Sequence, residues 1–170
     1  MRYCNDLILD KEGKKMNDII YNDAKAFSEG LAAVQNEYFK YGFIDTDGNE
    51  VIPCEYSTVS WFKEGLVAVS KKLENGKIAY AYINKSGAPI TQFEFEDAKD
   101  FQNGIALVKR NGKFGLIDKF GGPVAECEYD YISNFNGEGY ALAKKNGLDV
   151  YLDKNGNQWA KANGKFIKLD

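Results

Sequence analysis

Phenylalanine recurs in this chain at Phe27, Phe62, Phe101 and Phe135, at intervals of 35, 39 and 34 residues. Other landmarks keep step with it. An acidic or amide residue at Asp10, Asp45, Asn84, Asp118 and Asp153 is followed three residues later by Gly13, Gly48, Gly87, Gly121 and Gly156. Eleven residues after each of the first four stands an aromatic (Tyr21, Tyr56, Phe95, Tyr129), and the next phenylalanine follows six residues on. A period of this size confines the fold to stacked copies of one supersecondary unit, none of which buries its apolar face alone. The frame divides the chain into an N-terminal half-unit or cap at 1–26 and units at 27–61, 62–100, 101–134 and 135–170, the last expected to include a C-terminal cap, together one repeat domain.

From each phenylalanine to the next acidic turn the chain runs 18, 22, 17 and 18 residues. Loops absorb insertions more readily than packed strands, so this variation is expected in a hairpin loop. Before it lie the apolar runs Leu31 to Val34, Leu66 to Val69, Ile105 to Val108 and Tyr140 to Ala143, which predict strands buried on both faces. Asn75-Gly76, Asn111-Gly112 and Asn146-Gly147 predict two-residue type I′ turns. The first unit has Tyr38-Phe39 in that loop instead. Asp-x-x-Gly predicts a second turn, with the carboxylate accepting the turn's own N–H groups and glycine taking the left-handed position. The section around Val59 fits a short strand or one helical turn equally.

Phe27-x-x-Gly30-Leu31-Ala32-x-Val34, joined to the type Lys113-Phe114-Gly115-Leu116-Ile117-Asp118-Lys119-x-Gly121, resembles the bacterial WG-type (WG or KWG) repeat family. The name-giving Trp-Gly pair reads Tyr41-Gly42 and Phe114-Gly115, and decays to Tyr80-Ala81 and Asp149-Val150. The resemblance spans nearly the whole chain. It implies a repeat unit with a binding or scaffold role and brings no catalytic residue with it.

A net charge of −3 argues against nucleic acid as a partner. No apolar run approaches the ~18 residues of a membrane span. The opening residues lack the apolar region of a signal peptide, which makes the cytoplasm the expected location. Three cysteines, Cys4, Cys54 and Cys127, are a poor disulfide framework. Cys54 and Cys127 share a column with Ile19 and Phe93 and read as small buried apolar residues. The chain has no histidine, which removes histidine triads, histidine metal sites and histidine switches together.

Carboxylates recur in columns: the turn Asp, then Glu55, Glu94 and Glu128 beside the frame aromatic, then Glu29 and Glu64 beside the frame glycine. Residues repeated in every unit serve the unit. Asp45-Thr46-Asp47-Gly48 is similar to a calcium loop only in its first residues, because the twelfth position is Tyr56 and not a bidentate glutamate. No enzyme activity, cofactor or metal is therefore expected. The informative residues break the frame. Trp61 stands where sister copies have Ala26, Asp100 and Asn134; Phe120 replaces Glu12, Asp47, Ser86 and Asn155; Tyr131 replaces Asp23, Thr58 and Asp97. With Tyr38 and Phe39, these rings are expected to be exposed and to bind a partner.

The expected fold is all-β: tandem β-hairpin repeats of about 35 residues, each a hairpin plus a third short strand, stacked as an open twisted array. The rival is a closed, propeller-like ring in which the N-terminal half-unit completes the last unit, for which ~35 residues is short of the usual 40–45. The expected function is a non-catalytic protein-binding scaffold, one form being an inhibitor or immunity-type protein that occludes its partner. The alternative is a carbohydrate- or small-ligand-binding module, which needs Trp61, Phe120 and Tyr131 on one face. An enzyme would need a deep pocket with carboxylates outside the repeat columns.

Overall fold

A computed structural model of the chain describes residues 20–169, which form strands, turns and connecting segments with no helix among them. The chain divides into two compact units between Phe93 and Glu94. In the first, β1 (Asp23–Ala24), β2 (Ala32–Gln35), β3 (Tyr41–Ile44) and β4 (Glu50–Tyr56) make one antiparallel sheet in that order. A second sheet follows from β5 (Thr58–Val59), β6 (Leu66–Lys72) and β7 (Ile78–Asn84). In the second unit, β8 (Asp97–Ala98), β9 (Ile105–Arg110), β10 (Lys113–Asp118) and β11 (Pro123–Tyr129) form the third sheet. The fourth holds β12 (Tyr131–Ile132), β13 (Tyr140–Lys145), β14 (Leu148–Asp153), β15 (Gln158–Ala162) and β16 (Lys165–Lys168). Each sheet is an up-and-down meander, and none closes into a barrel among the described residues.

A full sheet therefore has four strands, not a hairpin plus one. The ambiguous section is a two-residue strand in every copy, paired through Asp23↔Gln35, Thr58↔Ser70, Asp97↔Lys109 and Tyr131↔Lys144. So short a first strand is what lets four strands fit within one repeat. The strand expected at Leu7 to Asp10, on which ring closure would rest, lies outside the described residues, as does Cys4.

Alternate residues of each first long strand point to opposite faces. In the first unit Leu31 and Ala33 join Phe43, Ile52 and Tyr56 in a core completed by Val59, Phe62, Val67, Val69 and Ile83 of the next sheet. Ala32 and Val34 face the other way, with Tyr21 and Ile44. The second unit repeats the scheme: Leu116, Ala125 and Tyr129 pack on Ile132, Ala141, Ala143 and Leu152, with Ile105 and Leu107 alongside. Fully burying a side chain of this size contributes about 1.5–3 kcal/mol.

The longest unit does not place its extra residues in a loop alone. The β9–β10 ladder ends at Arg110↔Lys113, the counterpart of Lys71↔Ala79, and β6 and β7 run one pair further, to Lys72↔Ile78. Adding residues in equal number to both strands of a hairpin preserves register and face, so an insertion is accommodated without disturbing the core. The turn beyond is also longer than expected: Leu73 and Lys77 close it, and only Gly76 has positive φ. At Asn111-Gly112 and Asn146-Gly147 both residues have positive φ, as a type I′ turn requires.

The glycine of the name-giving pair has a steric reason. Between Tyr41↔Tyr56 and Phe43↔Ile52 the register slips, and β4 bulges over Gly42. A Cβ there would meet the Ile52 carbonyl oxygen at 2.4 Å and the Cys54 nitrogen at 2.7 Å. Gly115 repeats the arrangement beneath β11. Where the position carries Ala81, the second sheet stops at three strands, with Ile83↔Pro89 an isolated bridge. Where it carries Val150, β15 pairs only through Tyr151↔Trp159 and Leu152↔Gln158, without the bulge.

Counted from the turn residue, Trp159 shares a column with Val51, Ile90 and Val124 and is expected to pack, and that last difference corrects the column. Trp159 lies opposite Tyr151, the place held by Ile52 opposite Phe43 and by Ala125 opposite Leu116; it is not the counterpart of Val51 and Val124. It packs, as expected, edge-on against Tyr140 at 5.6 Å, with Nε1 donating to Asp153 Oδ2 at 3.0 Å. Phe166 on β16 stacks on Tyr140 at 3.9 Å and meets Tyr151 edge-on. β16 thus supplies a ring for the outer face of this sheet. Gly164, at a frame position otherwise aromatic, is half of the Asn163-Gly164 turn that makes β16 possible.

Candidate functional site

The acidic columns serve the repeat. Glu55 pairs with Lys71 at 2.9 Å, Glu94 with Arg110 at 2.7 Å and Glu128 with Lys145 at 2.6 Å, each carboxylate meeting a cation two residues past the apolar run of the following copy. Glu29 accepts the Gly65 N–H at 2.9 Å, while Lys85 donates to the Glu29 carbonyl at 2.8 Å. The turn residues act as expected: Oδ1 of Asp45, Asn84, Asp118 and Asp153 each accepts two backbone N–H groups of its own turn.

A shallow depression of about 210 Å³ in the second unit is lined by Glu94, Phe95, Arg110, Ile117, Glu126 and Cys127. Glu126 stands outside the repeat columns, but Arg110 already lies between it and Glu94, at 3.8 and 2.7 Å. Cys54 and Cys127 are both free thiols and only half-buried, less enclosed than their apolar column suggests. Burial pushes the Cys54 thiol up to about 11, and burial likewise raises Cys127. Both are therefore protonated at neutral pH, the unreactive form of a cysteine. Among the described residues no cluster of His, Cys, Asp or Glu is arranged to hold a metal ion.

All five frame-breaking rings are exposed, from Trp61 at 42% to Phe120 at 90%. The structure does not bring Phe120 and Tyr131 together. Phe120 tips the turn after Asp118, at the end of β10 opposite Ile105, whereas Tyr131 follows the β11 end that pairs with Phe114. Four steps of strand from Phe114 to Asp118, roughly 13 Å, separate the two ends. In the first unit the rings have neighbours. Lys25 Nζ sits 6.0 Å from the Trp61 ring and 5.1 Å from the Tyr41 ring, and donates to the Val59 carbonyl at 3.0 Å. Tyr41 in turn donates its hydroxyl to Asp23 at 3.0 Å. Lys25 and Tyr41 escape sequence reasoning because Lys25 stands in a column that is polar throughout (Ser60, Lys99, Ser133) and Tyr41 in one that holds Tyr80 and Phe114.

Phe39 is the outlier. Among the described residues seven turns share one hydrogen-bond pattern, in which residue i+3 donates to the carbonyl of residue i and residue i donates to that of i+4. In six, residue i+3 is glycine: Gly48, Gly76, Gly87, Gly121, Gly139 and Gly156. In the seventh, Asn36 to Lys40, it is Phe39 at φ +57°. Asn36 Oδ1 holds this turn by accepting from Tyr38 and Lys40 at 3.0 Å. A left-handed residue with a Cβ costs about 1 kcal/mol over glycine. Burial does not offset that cost: Phe39 is 60% exposed and its neighbour Tyr38 73%.

These features define a tandem-repeat scaffold of antiparallel sheets. Four consecutive segments, 8–38, 41–72, 80–114 and 114–148, match the model of the WG containing repeat. The chain belongs to that family. Each matched segment after the first opens on the strand of the name-giving pair, at Tyr41, Tyr80 and Phe114. Comparison with curated proteins gives no match.

Proposed function

We propose that this repeat scaffold is a non-catalytic, protein-binding module whose contact is led by the Tyr38-Phe39 hairpin tip. The carrying observation is Phe39, a strained and exposed ring at a turn position that is glycine in six sister turns. Strain without local benefit points to a use outside the fold, and exposed aromatic anchors are the usual energetic centres of protein contacts. Trp61, propped by Lys25, is the second candidate anchor in the same unit. A ring-bearing tip on a packed sheet suits insertion into a partner's cleft, the action of an inhibitor or immunity-type protein. The cytoplasm fits this reading, because the Cys54 and Cys127 thiols would persist there. A sugar-stacking platform of Trp61, Phe120 and Tyr131 is disfavoured by the opposite placement of Phe120 and Tyr131.

The test is affinity capture from an extract of the source cells with the wild-type chain, a Tyr38→Ser/Phe39→Gly variant and a Trp61→Ala variant. Circular dichroism first establishes that all three are folded. Loss of a hot-spot anchor weakens binding about 30-fold or more, so the partner held by wild type is expected to be lost from the tip variant. Equal retention by all three would remove this surface from the proposal.

A further inference from the structure

The outer strand of the last sheet reverses the charge of its sisters. β4 carries Glu50 and Glu55, and β11 carries Glu126 and Glu128. From 154 to 169, by contrast, the chain has Lys154, Lys161, Lys165 and Lys168 and no carboxylate side chain, in a protein of net charge −3. Among the described residues β16 is the edge of its sheet. Leu169 donates its N–H to the Gln158 carbonyl at 2.8 Å, so residues 165, 167 and 169 turn their backbone groups toward β15. By the alternation of an antiparallel ladder, Phe166 and Lys168 turn theirs outward. Ile167 and Leu169 are exposed apolar side chains beside this edge. Among the described residues no carboxylate forms an ion pair with Lys165 or Lys168.

We propose that the edge of β16 receives an extended acidic segment of a partner protein as an additional antiparallel strand. An exposed edge is a template for a further strand, with backbone bonds supplying affinity and alternate side chains supplying choice. Carboxylates on one face of the incoming strand would meet Lys168, and apolar residues on its other face would cover Ile167 and Leu169. The chain's own acidic outer strands suit this edge poorly. β4 contains Pro53, which lacks an N–H, and both β4 and β11 are bent by register shifts. The inference concerns a different strand from the Tyr38-Phe39 tip and stands without it.

The test is fluorescence anisotropy with a labelled peptide of four Glu-Val repeats. Three further probes are its Lys-Val counterpart, the Glu-Val peptide N-methylated at alternate residues, and oligo-dT. The Glu-Val peptide is expected to bind, and to weaken about tenfold as salt rises past the point where the Debye length falls below ~8 Å. The Lys168→Glu variant, with unchanged circular dichroism, is expected to lose that binding, and N-methylation to abolish it. The Lys-Val peptide is expected not to bind. Five results would each overturn the proposal: no Glu-Val binding at about 1 mM, equal binding of the Lys-Val peptide, equal binding of the N-methylated peptide, equal binding of oligo-dT, or sedimentation showing the edge occupied by a second copy.

Discussion

Gly42→Ala tests the steric reading of the repeat's defining glycine. The added methyl carbon would stand 2.4 Å from the Ile52 carbonyl oxygen and 2.7 Å from both the Cys54 nitrogen and the Pro53 carbonyl carbon, where ordinary contact begins near 3.4 Å. All three obstacles are backbone, so no rotamer change relieves them, and β4 must retreat by about 1 Å. Overpacking of this kind costs about 1–3 kcal/mol. Retreat also draws Ile52 and Tyr56 out of the core they share with Val67 and Val69. Together these put the loss at about 3 kcal/mol. Gly30→Ala is the control: its Cβ meets nothing within 4 Å, and only the +87° φ penalises it, by about 1 kcal/mol. Gly115→Ala should fall between, because one of its close contacts is the Cys127 sulfur and a side chain can turn away. Urea unfolding reads the series, with Trp61 fluorescence reporting the first unit and Trp159 the second. A Gly42→Ala loss no larger than that of Gly30→Ala would refute the argument.

Phe39→Gly relieves the strained turn and should stabilise the first unit by about 0.5–1 kcal/mol in the same urea assay. Phe166→Ala removes the ring stacked on Tyr140 and should cost about 1–2 kcal/mol, read at Trp159. On acidification stability should fall. Lys71 holds the Glu55 carboxyl below its usual range, Lys113 does so for Asp130, and the Asn49 N–H does so for Asp45. The folded state thus binds fewer protons than the unfolded one as pH drops below ordinary carboxylate values, and melting temperature measured downward from pH 5 should decline. On the alkaline side burial lifts Cys54 to about 11 and Tyr56 to about 12. Their stabilising effect is complete below the ordinary thiol and phenol values and is lost as pH rises through the lifted ones. Cys54→Ala should flatten the first part of that decline.

The repeat and its turns were legible in the sequence because each depends on local chemistry. Asp45, Asn84, Asp118 and Asp153 cap their own turns, and glycine three residues on takes positive φ. The alternation of Leu31 and Ala33 against Ala32 and Val34 between two cores follows from strand period alone. The two-residue strands were not legible, since two residues carry no period. The slip of Trp159 was hidden for a related reason: counting from Asp153 assumes a bulge that Val150 removes. Exposure of the five rings followed from column comparison, but their grouping did not. Whether Phe120 and Tyr131 share an end depends on which way each strand runs. The strain at Phe39 was partly visible, as a loop lacking Asn-Gly, yet its equivalence to Gly76 appears only in the hydrogen bonds.

Hydrogen–deuterium exchange on the chain with and without its captured partner tests the central claim most directly. The account predicts new protection across residues 36–41, where Tyr38 and Phe39 are presented, with the neighbouring Lys25 and Trp61 segments following. Protection confined to other segments, with 36–41 exchanging as in the free protein, would contradict it.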